Sequence, residues 1–355
     1  MKKILIAGAG GPASEGVINS LIKFGSKFEI IGMGADASDL VLSNAKRKYL
    51  VPMATDPAYF EKLLEIIEHE KPDLLHAQND TEVLEISKNR EALQKVGVLT
   101  FLPDHATIET CVDKWKSYNA FLKAGITVPR NIVINDEKDL KEAFTSLSGS
   151  QNQIWLRANV VGGGGIGALP ASDFDFAKNW ISHHRGWSKF LAAELLTRNT
   201  VTWMSIWYEG KLVVAQTRAR GGWVHGNRTL SGVTGVTKIG RTMTDPIVTR
   251  IAQESIFAVD DKPHGIFAVD MTYDDKGMPN PTEINIGRFF TTVLFFTQAG
   301  INFPEIYADL ILEKKFPDLD KKVNPLEDNL LWFRGMDSLP RLLTEQDYLN
   351  EISRL

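Results

Sequence analysis

Over the first hundred residues, short apolar runs alternate with segments whose apolar positions recur at helical spacing. KILIA, FEIIGM, KYLVPM, DLLHA and VLTFL have the unbroken apolar character of strands buried on both faces. SEGVINSLIKFG and PAYFEKLLEIIEHEK, lying among them, carry the helical period. Strand and helix in alternation predict a doubly wound, Rossmann-like parallel sheet. The rhythm changes around Pro103 to Asp113. A helix over DKWKSYNAFLKAG ends at Gly125, another starts near Asp136, and a Ser/Gly-rich exit leads into the strand IWLRA. WLRANV, FLAAELL, VTWMSIWYEG and KLVVAQTRARGG then predict antiparallel strands, with a hairpin turn at Glu209-Gly210. The expected fold is α/β at the N-terminus followed by a two-lobed α+β body.

The chain has 355 residues, 43% hydrophobic and 24% charged, as in an ordinary globular protein of two or three domains. A net charge of −4 gives no electrostatic case for nucleic acid. One cysteine, Cys111, excludes an internal disulfide and fits a reducing, cytoplasmic setting. The apolar start MKKILIA breaks into glycines and reads as a strand; FFTTVLFF is far too short to cross a bilayer. No membrane partner is expected.

The candidate chemistry is concentrated in GIFAVDMTYDDKGMPNPTEINIGR. Two strand-like runs each carry an oxygen ligand near their ends, and the turn-rich DDKGMPNP lets them lie antiparallel. Asp270 is then brought against Glu283, and Asn285 shares the face of Glu283. Two carboxylates and an amide oxygen suit Mg²⁺, or Mn²⁺, with water and phosphate completing the shell. Arg288 adds a cation to the same corner. The bland alternative, acids at the ends of strands beside turns, accounts well for Asp274 and Asp275.

Two glycine clusters precede this site. Gly8-Ala9-Gly10-Gly11 follows the first strand, and with Asp36 it keeps an NAD(P)-binding reading open, although Ala13 stands where a third glycine would be. Gly162, Gly163, Gly164 and Gly165 lie at the tip of an expected hairpin. Their backbone N–H groups could cover phosphate oxygens, with Arg157 on the preceding strand as a phosphate clamp. Arg218, Arg220 and Arg241 are candidate anchors for an anionic substrate, and His76, Gln78, Asp80 and Glu82 sit where such sheets place ligand contacts. Trp203, Trp207 and Trp223 read as exposed aromatics available to a lobe interface or a homodimer contact. No zinc pattern and no nucleophile motif is present.

The order of these parts resembles the ATP-grasp superfamily, most closely its carbamoyl-phosphate-synthase-like carboxylate–amine ligases, over nearly the whole chain. The resemblance implies a pre-ATP-grasp domain (1–104), a central lobe with the glycine flap (105–193) and a C-terminal lobe with the metal site (194–355). It implies that Lys114, opening DKWKSYNAF, and Arg157, in LRANVVGGGGIG, reach ATP phosphates, and that Glu194, Leu195 and Leu196 form the adenine hinge. Asp270, Glu283 and Asn285 fall on the Mg²⁺ ligands, and Arg288 on the arginine that steadies the transferring phosphoryl group. The implied activity is ATP-dependent joining of a small-molecule carboxylate to an amine through an acyl phosphate. Three departures stand out: Thr200 and Thr202 where a ribose-binding acid is common, Ala158 after Arg157 in place of proline, and EINIGR, with its arginine one place late. An NAD(P)-dependent oxidoreductase and a non-catalytic MgATP-binding protein are the alternatives.

Overall fold

The computed structural model describes residues 1–23, 27–159, 167–233, 235–335 and 341–352. The first sheet is parallel throughout, in the order β3-β2-β1-β4-β5, from β1 (Lys2–Ile6), β2 (Phe28–Gly34), β3 (Arg47–Leu50), β4 (Leu74–His76) and β5 (Leu99–Thr100). The expected parallel sheet is therefore present. Its central strands pair Ile4 with Ile30 and Leu74, all nearly inaccessible to solvent, which is why their sequence shows no polar alternation.

A second, antiparallel sheet runs β6-β9-β7-β8, from β6 (Asn131–Ile134), β7 (Ile154–Ala158), β8 (Leu169–Ala171) and β9 (Phe190–Glu194). β7 and β8 form the hairpin expected around the second glycine cluster; Gly162 to Gly165 themselves lie outside the described residues. The third sheet runs β14-β13-β10-β11-β12-β15-β16. Its strands are β10 (Thr200–Tyr208), β11 (Lys211–Trp223), β12 (Thr237–Met243), β13 (Gly265–Tyr273), β14 (Pro279–Ile286), β15 (Leu330–Phe333) and β16 (Arg341–Thr344). β10 and β11 meet at Glu209 (φ 49°) and Gly210 (φ 80°); consecutive positive φ angles give the turn that matches the twist of a hairpin.

The cores divide the molecule unequally. Two apolar clusters each draw on both the parallel sheet and the seven-stranded sheet: Leu5 and Ile31 with Trp203 and Phe267, and Ile4 and Ile30 with Met204 and Ile266. Trp203 and Trp207, expected at the surface, are buried in the first of these. β10 is covered on both faces, so it offers no alternation from which to read exposure. The small sheet has a cluster of its own, built from residues between Ile134 and Ala192.

Candidate functional site

A cavity of about 620 Å³ lies where the small lobe faces the seven-stranded sheet. Asp270 on β13 and Glu283 on β14 are direct cross-strand partners, and both line it. Two carboxylates so placed repel unless compensated. The Lys114 ammonium is 3.4 Å from Glu283, Arg220 is 4.0 Å from Asp270, and the Thr202 hydroxyl donates to Asp270. Lys114 is positioned by its helix (Lys114–Lys123), whose N-cap Asp113 accepts the Trp115 and Lys116 N–H groups.

Asn285 donates through Nδ2 to Asp270 (3.1 Å), while its Oδ1 accepts from Arg288. The amide oxygen has two lone pairs, so Oδ1 can keep Arg288 and still take a cation. Among the described residues no three His, Cys, Asp or Glu side chains gather as a metal cluster. A cation here would rest on two carboxylates and one amide, with solvent and phosphate filling the rest. That donor set fits Mg²⁺ or Mn²⁺ and is too hard for a zinc site.

Gly287 stands directly before Arg288 and bends the chain there. Gly287 has φ 69°, and a Cβ there would lie 2.8 Å from Leu102 and 3.0 Å from Val83. The bend turns Arg288 back onto Asn285, and its guanidinium is held bidentately by Asp80, at the start of the helix Asp80–Lys88. Burial works against both charges, yet the pair outweighs it: Asp80 is held below the usual carboxylate range and Arg288 above the usual arginine value. Through this pair Asp80 takes its place in the lining of the cavity. Its neighbours serve the fold: Gln78 clamps the Phe289 backbone (2.7 and 3.1 Å), and His76 bonds to Gln78 at 2.7 Å. Glu82 is buried against Tyr59 and Asn79, and burial pushes its carboxyl up to about 7.

Arg157 enters from the opposite wall, on β7. It bonds the Thr282 carbonyl at 3.2 Å and the Asn131 side chain at 3.4 Å, and its buried Nε has no partner among the described residues. Burial lowers its pKa, against the pull of Glu283. A buried guanidinium with a spare donor at a cavity wall is suited to an anion. Glu194, Leu195 and Leu196 line the far end with Trp155 and Met271. The Glu194 carboxylate is already taken: it accepts from the Arg130 backbone N–H (2.8 Å) and from Arg130 Nε (2.7 Å). Lys114, Arg157, Asp270, Glu283, Asn285 and Arg288 are therefore brought to one cavity, and Glu194, Leu195 and Leu196 line it too.

Other expectations separate. Arg220 lines the cavity, whereas Arg241 pairs with Ala219, one residue out of phase with Arg220, and is exposed. Arg218 is wholly buried, bonded to Thr202 and, at 2.9 Å, to Thr237; burial beside Arg220 pulls its pKa down to about 9. At the first glycine turn the chain packs closely on its neighbour: a Cβ on Gly10 would fall 1.9 Å from the Asp39 carbonyl oxygen, which is why glycine stands there. The Gly10 N–H is donated to Glu15, and Asp36 caps the helix Ala37–Leu42. Three contacts carry no local sequence signal: Asp80 to Arg288, Arg130 to Glu194, and Arg218 through Thr202 to Asp270. Only the spacing of Arg218 and Arg220 on one face of a strand hints at the last.

Compared by sequence, no family model and no curated protein matches the chain. Compared by structure, it is similar to L-amino acid ligase from Bacillus licheniformis (TM-score 0.66, 12% identity, covering 94% of this chain and 79% of the ligase). It is similar also to the ADP complex of N5-carboxyaminoimidazole synthetase from Staphylococcus aureus (TM-score 0.69, 13% identity, 99% of this chain and 86% of that one). This is the ATP-grasp fold. The biotin carboxylase domain of Hydrogenobacter thermophilus 2-oxoglutarate carboxylase, solved with MgADP and bicarbonate as a domain dimer, has the same ATP-grasp architecture (TM-score 0.68, 13% identity, 94% of this chain and 74% of that one). Among the described residues no helix is long and apolar enough to cross a membrane.

Proposed function

We propose that the chain is an ATP-dependent ligase that joins a small-molecule carboxylate to an amine, with Mg²⁺ held by Asp270, Glu283 and Asn285. The observation that carries this is the facing pair Asp270–Glu283, set among Lys114, Arg157, Arg220 and Arg288 in one cavity. Paired carboxylates ringed by cations are costly for a structural core and apt for a metal-bound polyphosphate. The ATP-grasp fold, and neighbours solved with ADP and MgADP, point the same way.

In this reading adenine lies between Leu195–Leu196 and Met271, with Glu194 held by Arg130 to shape that end. The γ-phosphoryl group passes to a substrate carboxylate oxygen; its bond to the bridging oxygen breaks and ADP leaves. The amine nitrogen attacks the acyl carbon, phosphate departs and a proton is lost from nitrogen. Mg²⁺ supplies charge neutralisation across the phosphates when bound. Lys114 and Arg157 orient the triphosphate, and Arg288, fixed by Asp80, meets the charge on the transferred group. The role proposed for Gly162 to Gly165, covering phosphate with backbone N–H groups, rests on their sequence. We assign residues 1–104 to the pre-ATP-grasp domain, 105–193 to the central lobe and 194–355 to the C-terminal lobe, in a cytoplasmic enzyme.

A thermal-shift comparison tests the assignment. MgATP at a hundredfold excess over its dissociation constant stabilises by about 2.7 kcal/mol. That gain should vanish with EDTA and in Glu283→Ala. Stabilisation by NADH or NADPH in place of MgATP would overturn it.

A further inference from the structure

We propose that Asn159 is a positioning residue for the nucleotide phosphates: by holding the first turn of the helix Lys114–Lys123, it sets where the Lys114 ammonium stands relative to the Arg157 guanidinium. The proposal rests on the ligase reading above, in which both cations orient the triphosphate, and adds to that site a residue that acts on it through Lys114.

The helix is shared between the two parts of the molecule. Phe121, on its buried face, belongs to the apolar cluster of the body, with Trp203 and Ile284. Its first turn is taken by the small lobe. The Lys114 N–H, which a capping side chain does not reach, is donated to the Asn159 carbonyl at 3.2 Å, and the Trp115 N–H meets Asn159 Oδ1 at 2.8 Å. Asn159 is itself tied to the neighbouring strand. Its N–H donates to the Lys189 carbonyl at 2.8 Å, one step beyond the pairing of Ala158 on β7 with Phe190 on β9. A second link, from the Asn131 N–H to the Tyr118 hydroxyl at 3.4 Å, joins the same helix to β6, and the Asn131 side chain accepts from Arg157. The strand end that carries Arg157 therefore carries the anchor of Lys114 two positions later.

Capping alone does not account for the Asn159 amide. Asp113 already accepts the Trp115 N–H at 2.9 Å and the Lys116 N–H at 3.0 Å, and its carbonyl takes the Ser117 N–H at 3.0 Å. The Trp115 donor is thus shared between two acceptors, and losing one leaves it satisfied. What the amide adds is direction. Two bonds from one residue to two successive N–H groups fix the tilt of the turn, where a single bond would let it pivot. Lys114 reaches Glu283, 3.4 Å away, from this turn, and Arg157 stands across the cavity with its Nε aimed at no partner among the described residues. A lysine ammonium on a flexible four-carbon stem is placed only as well as its backbone is, and a polyphosphate meets two cations at once only when their spacing matches its own.

A double-mutant cycle, read by calorimetric titration of the full chain with MgATP, tests this. Asn159→Ala should raise the Kd for MgATP about tenfold and Lys114→Ala about a hundredfold. The double variant should match Lys114→Ala within about twofold, because the amide acts only through the lysine. Adenosine, which offers base and ribose without phosphate, should bind the wild type and Asn159→Ala within about twofold of each other. The ligand-free fold should hold in Asn159→Ala, since Asp113 keeps the Trp115 N–H. An unchanged Kd in Asn159→Ala, losses that multiply in the double variant, or an equal loss of adenosine binding would overturn the positioning role and leave the nucleotide site standing. No binding of MgATP by the wild type would overturn the ligase reading, and this inference with it.

Discussion

The small lobe and the body hold their cavity-facing residues by different means. The body shares its apolar clusters between two sheets, and its site residues are braced across long stretches of chain: Asp80 on Arg288, Gln78 on Phe289, Arg218 on Thr202 and Thr202 on Asp270. The small lobe keeps its own cluster and reaches the body through contacts such as Arg157 to the Thr282 carbonyl. A surface that must hold two carboxylates and several cations at fixed spacing belongs on the braced part. A lobe with a core of its own can shift as a unit without opening either core.

Four experiments bear on that division, from the largest expected effect downward. Glu283→Ala removes half of the facing pair and should lower MgATP affinity about a thousandfold, near 4 kcal/mol, in a calorimetric titration. The fold should survive, because Glu283 is about a third exposed at the cavity wall and belongs to neither apolar cluster. Leu156→Ala empties a fully buried position in the lobe's own cluster and should cost about 3 kcal/mol. Hydrogen exchange should then accelerate in residues 131–159 and 167–194 and stay unchanged in β1, β10 and β13; equal acceleration in both parts would make lobe and body one cooperative unit.

His76 probes the body alone. Burial holds its pKa at about 4, against 6.5 for an ordinary histidine, so the unfolded chain takes the proton first. Its contribution is present above pH 6.5 and lost as pH falls toward 4. Between pH 7 and 4.5 the unfolding free energy of the wild type from urea titration should fall more than that of His76→Gln, by on the order of 2 kcal/mol. Parallel curves for the two proteins would show that His76 does not couple the body to pH. The smallest effect is expected from Asp80→Asn, which loosens Arg288 and leaves the proposed metal ligands in place. Preference for MgATP over MgADP should fall about tenfold, or 1.4 kcal/mol, with MgADP affinity unchanged.

The parallel sheet was legible because its strands are continuous apolar runs separated by helical periods. The β10–β11 hairpin was legible because Glu209-Gly210 can adopt the turn. Asp270, Glu283 and Asn285 were legible because one short link forces their strands together. What escaped is long-range or hidden by burial. Nothing near Asp80 shows that it will meet an arginine 208 positions away, and nothing near Glu194 shows that Arg130 will claim its carboxylate. Trp203 and Trp207 were misplaced because a strand covered on both faces loses the alternation that marks its sides. Arg220 and Arg241 looked equivalent by composition; the register of β11 with β12 sends them to opposite faces.

Gly287 sets a limit on replacement at this corner. Its left-handed backbone turns the Arg288 guanidinium onto the Asn285 amide, and a Cβ there would press on Leu102 and Val83. Any other residue would have to hold a strained backbone and displace two apolar neighbours, so the position of the arginine is bound to the packing of the core beside it.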